Sequence, residues 1–104
     1  MAKFRFSRLA EDDLLGITNY TIQAWGIVQA ASYIDDLETC CQQLADAPGL
    51  GRPCDEIRPG LHRIERGKHV IFYRLKKGEI IVSRILHQHM LPEKHFGKDT
   101  DEES

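Results

Sequence analysis

The chain has 104 residues, of which 29% are charged and 41% hydrophobic, and its formal net charge at pH 7 is −2. A chain of this length has room for one domain with one small core. The sequence holds neither an apolar run long enough to cross a bilayer nor the apolar segment of a signal peptide. We therefore expect one cytoplasmic domain over residues 1–96, without membrane contact, and a disordered acidic tail over residues 97–104.

The first segments predict a strand and a helix. KFRF, residues 3–6, alternates apolar and charged residues as a strand does. Ser7 is a suitable helix N-cap, and the acidic residues at 11–13 lie where the helix dipole favours negative charge. This helix is expected to end at Trp25-Gly26, because Gly commonly follows a helix C-terminus. Its predicted apolar face consists of Ala10, Leu14, Ile17, Thr21 and Ala24.

A second amphipathic helix follows directly. Its apolar residues recur every three or four positions, and Pro48 stops the pattern near Ala47. So short a connection makes the two helices an antiparallel hairpin, and their apolar stripes need a sheet to cover them. The predicted apolar face of this helix consists of Ile27, Ala31, Ile34, Leu37, Cys41 and Leu44.

The second half of the chain predicts the sheet. PGLGRP, residues 48–53, and the Pro59-Gly60 pair are turns, and three apolar-rich segments follow them. The connections between these segments are short enough for hairpins, so the strands are antiparallel neighbours. The three predicted strands are 61–66, 69–75 and 79–87. The order of one strand, two helices and three strands predicts an α+β domain with the helices on one face of an antiparallel sheet.

Charge is distributed unevenly along the sequence. Residues 1–50 hold three basic and seven acidic side chains, residues 51–96 hold ten and five, and residues 97–104 hold one and four, giving −4, +5 and −3. A cationic second half can attract a nucleic acid or an acidic partner. A mixed, solvated surface is equally compatible with an excess of this size.

The three cysteines predict no cross-link. Cys40 and Cys41 are adjacent and Cys54 lies alone, so the odd number argues against a disulfide framework. No pair has the two-residue spacing of a zinc knuckle. We expect buried, neutral thiols, no metal site and no cofactor.

Several short segments occur in an order typical of a known family. They are FSRLAEDDLLGI, the Trp-Gly between the helices, LGRP, EIRPGLHRI, and HVIFYR followed by IIVSRILH. This set resembles the RelE/ParE superfamily of toxins from bacterial toxin-antitoxin modules, and the ParE branch most closely. The resemblance covers nearly the whole chain up to Phe96. Because several of these segments are structural, it indicates the fold better than the activity.

The resemblance implies a small cytoplasmic toxin that a ParD-like antitoxin neutralises in a hetero-oligomeric complex, as in plasmid stabilisation modules. ParE-like toxins inhibit DNA gyrase by binding, without catalysis. RelE-like relatives of the same fold cut messenger RNA in the ribosome. Two mechanisms therefore stay open, and a binding module without toxicity is a third possibility.

A ribonuclease site needs a base, cations that stabilise the charged phosphorane, and an acid for the leaving oxygen. Glu65 and Arg63 share one face of a strand by the two-residue period. Arg84 lies on a later strand, and His87 or His89 can donate a proton. Against a nuclease, the pI is about 6.2 and the tail is acidic, whereas binding to ribosomal RNA depends on cationic surface.

The favoured alternative is a toxin that binds without catalysis. In that case arginines and a histidine of the same strands contact gyrase or DNA. Arg84 is the most suggestive, because a charge within the apolar run IIVSRIL needs a partner or a function. A purely structural role is also open: the arginines can pair across strands with Glu65 and Glu79, and His87 can be a hydrogen-bonded strand end. The predicted target-binding residues are Arg63, Arg74, Arg84 and His87.

The helical hairpin is the predicted site for the antitoxin. An exposed Trp25 is a natural interface anchor, although a Trp at a helix end is more often packed in the core. The antitoxin of this family wraps its C-terminal segment around the toxin, and such a segment folds on binding. The predicted antitoxin-binding residues are Trp25, Ile34 and Leu37.

Overall fold

The chain forms two helices and five strands in the part that the computed structural model describes, residues 2–96. The predicted disordered tail, residues 97–104, lies outside that part. The predicted α+β class is confirmed. In chain order the elements are β1 (Phe4–Phe6), α1 (Arg8–Trp25), α2 (Ile27–Asp46), β2 (Arg52–Pro53), β3 (His62–Arg66), β4 (His69–Lys76) and β5 (Glu79–His87), with short 3₁₀ turns at Pro48–Leu50 and Pro92–Lys94.

Capping residues set the bounds of the helical hairpin. Ser7 is extended, with φ −66° and ψ 166°, and its hydroxyl accepts the N–H of Ala10 at 3.0 Å. Gly26 has φ 92°, a conformation that costs little only for glycine, and its N–H donates to the carbonyl of Ile22 at 2.9 Å. The predicted N-cap and the Trp25-Gly26 turn are both confirmed.

The buried faces of the helices differ from the prediction at the outer end of the hairpin. Ala24, Ile27 and Ala31 are exposed instead of buried. The last buried residue of α1 is Thr21 and the first of α2 is Ala30. The turns nearest Gly26 therefore extend beyond the layer that covers the rest of the hairpin, and the helical period alone does not show where that layer ends.

The strands form one sheet in the order β1-β5-β4-β3-β2. β1 runs parallel to β5, with Phe4 opposite Ile80 and Phe6 opposite Val82, and the other pairs are antiparallel. The predicted three-stranded sheet therefore gains the N-terminal strand on one side. On the other side it gains β2, which the sequence predicted as part of a turn. A two-residue edge strand that contains Pro has no alternation to detect.

Alternation along the strands buries apolar side chains on both faces of the sheet. The face toward the helices, which we call the helix face, carries the main core. The opposite face, which we call the outer face, is covered by the loop after β2 and by the C-terminal turn. Helix-face residues include Ile71, Tyr73, Ile80, Val82 and Ile85, and outer-face residues include Val70, Phe72 and Leu86, packed with Cys54, Leu61, Ile57 and Phe96.

The three cysteines are buried free thiols, as predicted. Burial raises the pKa of Cys41 to about 12 and that of Cys54 to about 11. Burial also raises the pKa of Cys40. All three are therefore protonated near neutral pH and belong to the core.

The Tyr73 hydroxyl fixes the turn before β2 to the sheet. It donates to the carbonyl of Pro48 at 2.7 Å and accepts the N–H of Gly51 at 3.0 Å. A Cβ added at Gly51 would lie 2.6 Å from the carbonyl oxygen of Arg63 and would also collide with the Tyr73 hydroxyl. Glycine is needed at this position because two other groups approach its Cα closely.

Gly51→Ala is expected to lower the free energy of unfolding by about 1–3 kcal/mol, because the turn must move away from the sheet to accept the methyl group. Gly49→Ala is the matched control in the same turn, since an added Cβ meets nothing within 4 Å there. Its effect should stay within about 0.5 kcal/mol. Chemical denaturation measures both, and equal effects would contradict the steric account.

Candidate functional site

Arg84 lies on the outer face because of a β-bulge. Phe72 is opposite Arg84 but Tyr73 is opposite Val82, so Ser83 is an extra residue in β5. Strict alternation after Ile80 and Val82 would have placed Arg84 on the helix face with the main core. The bulge reverses the alternation from that point, so that Ile85 enters the core and Arg84 does not.

Arg84 forms a bidentate ion pair with Asp13 of α1. Its Nε donates to Oδ2 at 2.8 Å and its Nη2 to Oδ1 at 2.9 Å, and both side chains are only 15% exposed. Its Nη1 donates to the carbonyl of His95 at 3.1 Å. Hydrogen bonding to Asp13 raises the pKa of Arg84. The predicted cross-strand partners of Arg84 are wrong: it joins α1, β5 and the C-terminal segment.

Glu65 is held by two arginines. Arg52 donates to both of its carboxylate oxygens, at 3.0 and 2.9 Å, and Arg63 donates to Oε2 at 3.2 Å. The bonds from Arg52 are the main cause that lowers the pKa of Glu65. A general base works best with a pKa near the working pH, so this arrangement suits an ion pair better than a base. The predicted Arg63–Glu65 pair is confirmed.

Glu79, the other carboxylate predicted to pair with an arginine across the strands, pairs with an arginine that was not predicted. Glu79 accepts a hydrogen bond from Nε of Arg5 at 3.0 Å, so β1 supplies its partner. Arg74 lies opposite Ile81, two residues along β4 from Phe72, and therefore belongs to the outer face. The outer face thus carries Arg63, Arg74, Arg84 and Glu65.

His87 lies on the other side of the sheet. It is opposite His69 in the β4–β5 ladder, with ring centroids 5.4 Å apart. His69 faces α2, where its Nδ1 lies 2.6 Å from the Tyr33 hydroxyl. The four residues proposed for a nuclease are therefore divided, with Glu65, Arg63 and Arg84 on the outer face and His87 on the helix face.

The Tyr33–His69 contact ties α2 to the start of β4. The Tyr33 hydroxyl accepts the N–H of Lys68 at 3.0 Å as well as sharing a hydrogen bond with His69. Burial, together with the neighbouring His87, lowers the pKa of His69 to about 4. His69 is therefore neutral at physiological pH, and neither Tyr33 nor this contact was foreseen from the sequence.

The residues predicted to bind an antitoxin differ in accessibility. Trp25 is 69% exposed, so the alternative that it packs in the core is wrong. Ile34 is half-buried against the main core. Leu37 is 1% exposed, and its side chain cannot touch a partner in this structure. Leu37 is a core residue.

Within residues 2–96, no cluster of His, Cys, Asp and Glu has a geometry that could hold a metal ion. No helix of that part is both long and apolar enough to cross a membrane.

Comparison with known families gives a match over most of the chain. A family model described as the ParE toxin of the type II toxin-antitoxin system parDE matches residues 4–92. Toxin ParE1 of Caulobacter vibrioides is 42% identical over 98 residues, covering 93% of this chain and 100% of that protein. Toxin ParE1 of Mycobacterium tuberculosis is 39% identical over 90 residues, covering 86% of this chain and 92% of that protein.

Solved structures give the same picture of the fold. A structure of the chromosomal ParDE toxin-antitoxin system from P. aeruginosa superposes with a TM-score of 0.72 at 26% identity, covering 84% of this chain and 96% of that one. The toxin-antitoxin complex RelBE2 of Mycobacterium tuberculosis superposes with a TM-score of 0.59 at 20% identity, covering 83% and 96%. The second likeness concerns the fold alone.

The Arg84–Asp13 pair should contribute strongly to stability. Arg84→Gln removes the cation of the pair, and Asp13→Asn removes the anion. Each is expected to lower the free energy of unfolding by about 3 kcal/mol, because it leaves a largely buried charge without its partner. Asp12→Asn, an exposed neighbour, is the control. Denaturation of the double variant should show less than the sum of the single effects, and strict additivity would contradict the pairing.

His69 predicts a pH dependence of stability. The unfolded ring, with a pKa near 6.5, takes up a proton before the folded ring, with a pKa of about 4. Stability should therefore fall as the pH drops from about 6.5 to about 4, by about 1 kcal/mol because the ring is partly exposed to solvent. His69→Gln should flatten that part of the profile. An NMR titration that gave His69 an ordinary pKa would contradict this account.

Proposed function

Because the chain belongs to the ParE toxin family of type II toxin-antitoxin systems, we propose that this toxin inhibits DNA gyrase by binding and that a ParD-like antitoxin neutralises it. The family match over residues 4–92 and the identity to two ParE1 toxins support the first part of this proposal. The likeness to a solved structure of a ParDE toxin-antitoxin system supports the second part by analogy. Gyrase acts on DNA in the cytoplasm, so this proposal implies that the toxin acts there too.

We favour binding over catalysis because the residues proposed for a nuclease lie on two opposite faces of the sheet. Transfer of a proton to or from RNA requires acid and base within hydrogen-bonding distance of one substrate. His87 and Glu65 project from opposite faces of the same sheet, so one RNA strand cannot meet both in this arrangement. Glu65 is also bound by Arg52 at both oxygens. Binding to a large target makes no such demand on geometry.

Arg63 and Arg74 are the proposed contacts to the target. The Arg63 guanidinium lies over the Phe72 ring, 5.3 Å from its centroid, and its Nε is buried without a hydrogen-bond partner among the described residues. The side chain as a whole is 24% exposed, so the outer nitrogens of the guanidinium, and not the buried Nε, are available to donate to an acceptor on the target. Arg74 lies on the same face, beyond Phe72.

Arg84 and His87 have other roles in this proposal. Arg84 acts as a positioning residue, because its contacts are to Asp13 and to the carbonyl of His95. Replacement of Arg84 should reduce toxicity because it destabilises the folded toxin, and not because a contact to the target is lost. His87 lies on the helix face and is not part of the proposed contact.

The antitoxin is proposed to contact Trp25 and Ile34 along the hairpin. Residues 1–50 carry −4 and residues 51–96 carry +5, so a segment that wraps from the helices to the sheet meets surfaces of opposite sign. Such complementary charge favours rapid and specific association. The resulting complex is a hetero-oligomer of toxin and antitoxin.

Purified toxin freed of its antitoxin should be tested in two parallel reactions, gyrase supercoiling of relaxed plasmid and messenger RNA cleavage on programmed ribosomes. We expect loss of supercoiling, or accumulation of cleaved DNA, with intact messenger. Cut messenger with unchanged supercoiling would overturn the gyrase proposal.

Variants separate the two mechanisms further. Arg63→Gln and Arg74→Gln should each weaken gyrase inhibition by about tenfold or more, since each loses a charged contact worth at least about 1.4 kcal/mol. Arg8→Gln, an exposed arginine on α1, is the control and should leave inhibition unchanged. Glu65→Gln should retain inhibition, whereas a nuclease that used Glu65 as its base would lose activity. Thermal denaturation of each variant checks that the fold is kept.

A further inference from the structure

The described part of the chain ends on the outer face, among arginine side chains. Phe96 packs edge-on against Phe72 of β4, with ring centroids 5.2 Å apart. The guanidinium of Arg58 lies 5.8 Å from the centroid of the Phe96 ring, and that of Arg63 lies 5.3 Å from the centroid of the Phe72 ring. Arg74 is two residues from Phe72 along β4, a distance of about 7 Å. Residue 97 therefore follows directly on a site that three guanidinium groups surround.

The fold fixes the position at which the next segment begins. Nη1 of Arg84 donates to the carbonyl of His95 at 3.1 Å, and the N–H of Phe96 donates to the carbonyl of Pro92 at 3.1 Å. The Phe96 side chain packs with the apolar residues of the outer face. Backbone and side chain thus both hold Phe96 against the arginines of the sheet.

The segment after Phe96 has the opposite charge. Residues 97–104, GKDTDEES, hold one basic and four acidic side chains and no apolar one, giving −3. We call this segment the acidic tail. Without apolar residues, it can bind the outer face only through charge and hydrogen bonds, and guanidinium groups bind carboxylates well in both ways. Its acidic residues are Asp99, Asp101, Glu102 and Glu103.

The acids of the strands do not cancel the positive charge of the outer face. Glu65 accepts hydrogen bonds from both Arg52 and Arg63, so one carboxylate serves two guanidinium groups. Arg74 adds a further positive charge on β4. The loop that covers part of this face, residues 54–60, contains one arginine and two acids, so the positive excess lies on the strands.

Length and tethering favour the acidic tail over a free partner. Its eight residues extend up to about 26 Å, whereas β3 and β5 each lie only about 5 Å from β4. A tethered segment meets its surface at an effective concentration of roughly millimolar. Exposed ion pairs are weak one by one, but at such a concentration several weak pairs keep a segment bound that would dissociate as a free peptide.

We propose that the acidic tail binds across the outer face and screens Arg63 and Arg74, so that it competes with an anionic partner for these two arginines. The identity of that partner rests on the proposed function, which assigns both arginines to contacts with the target. The target must then displace the tail, and its affinity is reduced according to the fraction of molecules in which the tail is bound. Because salt screens exposed charges, the effect is largest at low ionic strength.

NMR spectroscopy of the full-length chain tests binding of the tail without any partner. We expect the Nε–Hε signals of Arg63 and Arg74 to differ between the original chain and a tail-neutralised variant, and the difference to shrink as salt is added. Arginine signals that are the same in both proteins at low salt would overturn the proposal. The tail-neutralised variant combines Asp99→Asn, Asp101→Asn, Glu102→Gln and Glu103→Gln.

The matched control changes the net charge by the same amount on the helices, which cover the other face of the sheet. Its four substituted residues are all exposed. The control should leave the signals of Arg63 and Arg74 in place. Shifts as large as those of the tail-neutralised variant would show that net charge is the cause, and would overturn binding of the tail. The control variant combines Glu11→Gln, Asp12→Asn, Asp35→Asn and Glu38→Gln.

A short duplex DNA of mixed sequence is the anionic probe for competition. Fluorescence anisotropy at low salt should show that the tail-neutralised variant binds this DNA at least about fivefold more tightly than the original chain. The control variant should gain less than about twofold. Equal gains in the two variants would contradict competition at this face, as would the same affinity, or no binding, in all three proteins.

Gyrase enters neither measurement, so the two proposals fail separately. Arginine signals that depend on the tail, in a toxin that leaves supercoiling unchanged, would reject gyrase as the target and keep the screening by the tail. Loss of supercoiling by a toxin whose arginine signals ignore the tail would do the reverse.

Discussion

The ion pair between Arg84 and Asp13 closes an edge of β5 that no other strand covers. β1 covers β5 only as far as Val82, so the outer edge of β5 is open beyond it, and open edges invite pairing with other chains. Asp13 takes the place of a strand there, because its Oδ2 accepts the N–H of Ile85 at 2.9 Å. A buried carboxylate in that position needs a cation, and Arg84 supplies it. The same guanidinium holds the C-terminal segment through His95, so helix, sheet and C-terminal turn depend on one pair.

Short-range sequence patterns predicted the helices and long strands of this fold well. They predicted poorly which residues of different elements contact each other. The N-cap at Ser7, the Gly26 turn and the three long strands follow from short-range chemistry that a few residues specify. The partner of Arg84 lies 71 positions away in the sequence, and no local pattern identifies it. The bulge at Ser83 is also invisible to a two-residue period, yet it decides which face Arg84 occupies. The two-residue strand β2 was missed because pairing, and not composition, defines it.

The choice between binding and RNA cleavage on this fold depends on such contacts between residues that are far apart in the sequence. Composition and motif order placed acid, base and cations on neighbouring strands, which left a nuclease open. Pairing register then assigns His87 and Glu65 to opposite faces, and the bonds from Arg52 commit Glu65 to an ion pair. Catalysis needs reacting groups within about an ångström of their ideal positions, whereas binding tolerates dispersed contacts. These two features are the grounds on which we propose surface recognition and not RNA cleavage.

Residues that stabilise this toxin and residues available to partners are largely separate. Arg84, Leu37 and Tyr73 join elements together, and their replacement would reduce any activity by way of the fold. Trp25, Ile27 and Val28 add little to the core, because they lie beyond the layer that the sheet and helices form together. A folded domain gains nothing by exposing such residues, so their presence is best explained by an interface. Loss of toxicity on replacing a family-typical residue such as Arg84 is therefore weak support for a contact, whereas loss of partner binding on replacing an exposed hairpin residue is strong support.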